Sequence, residues 1–200
     1  MAHHNFSRHK CAQRGFSLVE LVAVTGIIVI LSSIVLVNNN KFGGAIQLRN
    51  LAYDLALTIR QAQTYGIAVR KFGSGVGQFG GGYGMYFDIS VPSTYTMYAD
   101  VVAINGLYDS GELVDSPFTI GGGYKIYDLC VTPVTLGAQE ECGKPKLQTF
   151  FIRPEPDAYV RINTPTPVYQ RGRVILESPR GDRLAVLIEA TGQISVQAAP

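Results

Sequence analysis

The 200 residues carry 17 basic and 15 acidic side chains, a formal charge of +2. The excess is local: Arg8, Lys10 and Arg14 lie in residues 1–15 with no acid beside them, so the remainder is close to neutral and slightly acidic, which argues against a global attraction to nucleic acid or an acidic membrane. All three histidines (His3, His4 and His9) sit in the same stretch, so the rest of the chain lacks the commonest general base and metal ligand, and no enzymatic activity is expected.

The first element follows at once. From Phe16 to Val37 the sequence is almost wholly apolar, broken by one carboxylate, Glu20. Twenty-two helical residues span about 33 Å at about 1.5 Å each, enough to cross a bilayer. A glutamate inside such a segment costs several kcal/mol in lipid unless it finds a partner, which makes it a functional residue by default. Arg8, Lys10 and Arg14 hold the preceding stretch on the cytoplasmic side. An ordinary secretory signal would instead place its cleavage site after the apolar run, near Ser32-Ser33. A plain signal anchor would have no use for Glu20, although a lone glutamate can also snorkel to the interface.

The run Gly15-Phe16-Ser17-Leu18-Val19-Glu20 and the apolar residues after it resemble the N-terminus of type IV pilins and type II secretion pseudopilins. The resemblance implies a leader at 1–15, cut between Gly15 and Phe16 by a membrane-embedded prepilin peptidase, and N-methylation of Phe16. Residues 16–37 become a transmembrane helix that also drives assembly. Glu20 would then pair with the cationic terminus of a neighbouring subunit, removing two charges from lipid and selecting one axial register. It also implies a single-pass protein of the cytoplasmic membrane with its head on the exported side, which later joins a cell-surface or periplasmic filament of pilin or pseudopilin subunits. In this family a tip subunit lacks that carboxylate, so Glu20 argues against a tip-initiating role.

Asn38-Asn39-Asn40-Lys41 marks the membrane exit, and Gly43-Gly44 weakens the helix by about 1 kcal/mol per glycine, suggesting a hinge or a melted stretch. An amphipathic continuation is expected over 38–72, with Leu48, Leu51, Leu55, Ile59 and Ala62 forming the apolar stripe and Arg49, Asp54, Arg60 and Gln63 on other faces. The glycine-rich segment that follows contains a literal GxGxxG at Gly75, Gly77 and Gly80. It follows a helix and precedes a strand, the reverse of a nucleotide-binding turn, and reads as a connecting loop.

Residues 73–200 form a β-rich head. Strands are expected at 83–90, 94–102, 125–130, 148–153, 158–163, 173–177, 183–189 and 193–197, in an antiparallel sheet or sandwich, so the fold class is α+β. Pro165 and Pro167 mark an edge or crossover connection. Two tight turns, at 177–182 and 190–193, join the last three strands. The pair Cys130 and Cys142 reads as a disulfide in an exported domain, the alternative being two buried free thiols. The last strands, with Arg173-Val174-Ile175-Leu176, Ser178-Pro179-Arg180-Gly181 and Thr191-Gly192-Gln193-Ile194-Ser195-Val196, resemble GspH/FimT-type minor pseudopilins, as does Ile59-Arg60-Gln61-Ala62 with Gly66 and Val69.

Two head segments carry candidate chemistry. Asn105, Gly106, the Leu107 carbonyl, Asp109 and Glu112 match the second half of a calcium loop, with Asp100 one residue out of register. The competing reading is a polar hairpin on the Asn105-Gly106 turn. Arg171, Arg173, Arg180 and Arg183 crowd the last strands, and some FimT-like minor pilins bind DNA through C-terminal arginines, so DNA uptake is the alternative function. Glu177, Asp182 and Glu189 are interleaved and can neutralise that patch.

Overall fold

The computed structural model describes residues 15–68, 71–72 and 81–199. Most of the leader and the glycine-rich stretch with its GxGxxG string lie outside the described residues. The chain divides into two units, Met1–Phe42 and Gly43–Pro200. One helix, α1 (Leu18–Ile67), contributes to both.

In the first unit, Leu18–Leu36 is long and apolar enough to cross a membrane, and its side chains are exposed throughout. Two of its hydroxyls are satisfied within the helix: Thr25 Oγ1 donates to the Leu21 carbonyl at 2.9 Å and Ser33 Oγ to that of Val29 at 2.8 Å. Such back-bonding is what lipid requires of a polar side chain.

The second unit is the head. Its part of α1 buries Leu48, Ala52, Leu55, Ala56, Ile59 and Ala62, the expected stripe, except that Leu51 is only half-buried. Complete burial of Leu48, Leu55 and Ile59 contributes about 1.5–3 kcal/mol each. The helix differs from expectation at two places. It keeps helical geometry through Gly43-Gly44, where a hinge or melted stretch was expected; two glycines lower helix stability without forbidding it. It also ends at Ile67, short of residue 72. At Gly66 a Cβ would stand 2.4 Å from the Phe151 carbonyl oxygen, so glycine lets the end of α1 press against the sheet before the chain turns away.

The sheets are wholly antiparallel. The first has the order β3-β2-β1-β5-β6, from β1 (Tyr83–Asp88), β2 (Thr94–Ala99), β3 (Phe118–Thr119), β5 (Lys146–Phe151) and β6 (Ala158–Arg161). The second has the order β4-β7-β8-β9, from β4 (Lys125–Thr132), β7 (Arg171–Glu177), β8 (Arg183–Glu189) and β9 (Ile194–Ala198). Period-two alternation decides which side chains face inward. Tyr83, Met85 and Phe87 of β1 join Val174 and Leu176 of β7 and the α1 stripe in one core. The Pro165–Pro167 segment carries the chain from β6 in one sheet to β7 in the other, as a crossover. Both expected turns are present, at Ser178–Asp182 and Glu189–Gln193. The two-residue strand β3 was not legible in the sequence.

Cys130 and Cys142 form a disulfide. Closing a loop of this length contributes about 3 kcal/mol in the chain-entropy account. The returning segment bonds along β4, with Val131 and Glu141 exchanging backbone bonds of 2.9 and 2.8 Å, so the edge of that strand is covered.

Candidate processing and assembly site

Gly15, Phe16 and Ser17 precede the helix in non-helical backbone, and all three are exposed. The bond between Gly15 and Phe16 is therefore accessible, with no side chain on its glycine to obstruct a protease. Helix α1 begins at Leu18, and the Leu21 N–H donates to the Ser17 carbonyl at 3.1 Å. Glu20 lies in the first helical turn, exposed, where the helix dipole favours a negative charge. The expected cut site and the one carboxylate of the apolar segment thus share a single short stretch at the helix start. Residues 10–36 match the prokaryotic N-terminal methylation motif. The chain carries a type IV pilin-type N-terminus. That motif implies processing by prepilin peptidase and assembly with other pilin-type subunits, and with the apolar helix it is consistent with a single-pass membrane anchor. No curated protein and no solved structure matches the chain.

In the head, the Asp100–Glu112 segment is an irregular loop closed by a single bridge between Tyr98 and Leu113, not the two-stranded hairpin expected from Asn105-Gly106. The turn itself exists: Gly106 has φ 74°, and the side chain of Asn105 accepts from the Leu107 N–H at 2.7 Å. Its carboxylates point at backbone donors. Asp100, 1 % exposed, accepts from the N–H groups of Asn105 at 3.1 Å and Gly106 at 2.7 Å. Glu112, 0 % exposed, accepts from Val101 at 3.0 Å, Val102 at 2.9 Å and Asp109 at 2.9 Å. Asp109 accepts from Asn105 Nδ2 at 2.8 Å. Among the described residues, the group whose ligand atoms converge closely enough for a metal is Asp128, Cys130 and Cys142, and its sulfurs are spent in the disulfide. The geometry of Asp100, Asn105, Leu107, Asp109 and Glu112 gives the calcium reading no support. These residues build the loop from within.

The loop lies on the outer face of the first sheet. The Tyr108 ring packs 5.0 Å from Tyr86 and 5.8 Å from Tyr98, the Tyr98 hydroxyl donates to the Gly106 carbonyl at 3.1 Å, and Arg161 Nη1 donates to the Asn105 carbonyl at 3.0 Å. Gln148 accepts from the Tyr108 N–H at 2.7 Å. Burial pushes Asp100 above the usual carboxylate range and Tyr98 well above its ordinary value; for Asp100 the two backbone donors partly oppose the rise. Gln148 and Arg161 were missed by sequence reasoning, because nothing local ties them to loop partners 40 and 56 residues earlier.

The four arginines are not brought together as a free patch. Arg171 pairs with Glu189 at 2.7 Å, Arg173 with Glu140 at 2.9 Å, and Arg183 with Glu177 at 2.8 Å while lying over the Tyr127 ring. Glu177 also receives Lys125 at 3.3 Å. Hydrogen bonding to Arg183 holds the Glu177 carboxyl below its usual range. Only Arg180, on the exposed β7–β8 turn, lacks an acidic partner among the described members of the four. Glu140 enters from within the disulfide loop, a pairing no sequence pattern announces.

Proposed function

We propose that the protein is a structural subunit of a type IV pilus or type II secretion-like filament, of the GspH/FimT minor type, with no catalytic role. The observation that carries this reading is the exposed apolar helix Leu18–Leu36, headed by an accessible Gly15-Phe16 bond and by Glu20 within a methylation motif. Polymerisation would bury the helix against its neighbours after extraction from lipid, and Glu20 would set their register by meeting a neighbouring N-terminal amine. Partners are other pilin or pseudopilin subunits and the prepilin peptidase; the head would stand on the exported side, where its disulfide can form. Glu20→Ala tests the assembly role. Membrane insertion should persist, because an apolar side chain replaces a charge, while incorporation into filaments falls. Incorporation equal to wild type would remove Glu20 from assembly. The DNA-binding alternative loses support from the glutamate partners of Arg171, Arg173 and Arg183.

A further inference from the structure

The outer face of the first sheet holds a hollow of about 500 Å³ beside the Asp100–Glu112 loop, wholly within the head. Its floor follows from strand register. Tyr86 of β1 stands directly opposite Gln148 of β5, and Asp88 opposite Lys146 two positions on, so these four side chains project from one face. Tyr108 comes from the loop, its ring 5.0 Å from that of Tyr86, and Asp109 and Asn163 complete the lining. Most of these groups are held by the fold. Gln148, 5 % exposed, accepts from the Tyr108 N–H at 2.7 Å and donates to the Ile162 carbonyl at 3.2 Å, which leaves its second amide hydrogen without a partner among the described residues. Lys146 Nζ lies 5.6 Å from the centre of the Tyr86 ring and 3.8 Å from Asp88. Asp109 holds Asn105 Nδ2 at 2.8 Å through one of its two oxygens. Asn163 is exposed, and its side-chain amide has no partner among the described residues.

We propose that this hollow binds a neutral saccharide, with Tyr86 and Tyr108 meeting the C–H face of a sugar ring and Gln148, Asn163 and Asp109 engaging its hydroxyls. Two observations select that chemistry. The charges oppose one another: Asp88 and Asp109 counter Lys146, which disfavours phosphate, and Lys146 itself disfavours a cation. The strands beneath are also complete. β1 pairs with β2 and β5, and β5 pairs with β1 and β6, so no open strand edge is offered to a peptide backbone. What remains is tyrosine surface beside fixed amide donors and acceptors, which suits a molecule with weakly positive C–H faces and many hydroxyls. Saccharide binding would be a function separate from filament assembly, because no residue of the apolar segment takes part in it.

The full chain, held in dodecylphosphocholine so that no detergent sugar competes, is titrated with cellobiose, lactose, maltose and diacetylchitobiose and followed by saturation-transfer NMR. The expected result is saturable transfer to at least one of the four, unchanged by added sodium chloride because the ligand carries no charge. Asn163→Ala removes an exposed amide that supports nothing else among the described residues, and should weaken binding about tenfold, the loss of one directed hydrogen bond. Tyr108→Ala should abolish binding, with a cooperative melt showing that the head still folds; if it does not fold, Asn163→Ala carries the test. Tyr53→Ala, which removes an exposed tyrosine on α1 outside the hollow, should bind as wild type does. Absence of transfer to all four sugars, binding lost with salt, or an affinity unchanged in Asn163→Ala would each overturn the proposal, as would an equal loss in Tyr53→Ala.

Discussion

Glu112→Gln is the most exacting test of the head. The carboxylate is 0 % exposed and accepts three backbone N–H groups, from Val101 and Val102 on one oxygen and Asp109 on the other. The amide retains one acceptor oxygen but turns an –NH2 toward the third donor, so one buried N–H is unsatisfied and the remaining bonds lose their ionic character. Hydrogen bonds to charged groups contribute about 1.5–3 kcal/mol net, and an orphaned buried donor costs about 1–3 kcal/mol. Allowing for non-additivity, the substitution should cost roughly 2–4 kcal/mol, a large share of the ~5–15 kcal/mol stability of an ordinary domain. For a head of this size that lowers Tm by about 4–16 °C, at roughly 2–4 °C per kcal/mol. Thermal unfolding of the detergent-solubilised chain, followed by near-ultraviolet circular dichroism, measures it. The same melts with calcium and with chelator separate the two readings of the loop: wild-type Tm should be indifferent to both, and the Glu112→Gln deficit should be equal in both. A Tm within one degree of wild type, or a deficit seen only with calcium, would refute the internal-scaffold account.

Other outcomes follow from the charged groups. Because Arg171, Arg173 and Arg183 are held by Glu189, Glu140 and Glu177, duplex DNA should bind weakly or not at all near physiological salt; sub-micromolar binding, abolished by substituting two of the four arginines, would make DNA capture the primary activity. The pH dependence of stability should show two opposite contributions. Asp100 is shifted up by burial, so its contribution is complete below the ordinary aspartate value of 3.8 and is lost as pH rises through its folded value. Glu177 is shifted down, so its contribution is present above the ordinary 4.5 and is lost as pH falls through its folded value. Denaturation across acid pH should therefore lose its downward slope with rising pH in Asp100→Asn, and part of its loss on acidification in Glu177→Gln; identical profiles for both variants and wild type would contradict these environments.

Elements with strong local periodicity were legible in the sequence. The stripe Leu48, Leu55, Ile59 and Ala62 is buried as its spacing demands, and eight strands fall near the alternating segments because each has one face on the core. Less legible was whatever depends on a distant partner. β3 has two residues and exists because Tyr95 and Phe118 stack at 5.0 Å across it. The end of α1 is set by the Phe151 backbone against Gly66, which propensity at residues 67–72 cannot reveal. The acidic loop matched half of a calcium pattern because the same oxygens that ligate cations also accept backbone N–H bonds, and the sequence does not say which. At the N-terminus the motif is local: the expected cut site and the carboxylate lie within one short stretch, so amino-acid order alone suffices to recognise it.

Mass spectrometry of the protein recovered from its native membrane tests the central claim most directly. A pilin-type subunit processed at Gly15-Phe16 should lack residues 1–15 and carry a single methyl group on the new terminus at Phe16. A mature terminus near Ser33, or an intact and unmethylated chain in cells with an active prepilin peptidase, would contradict it.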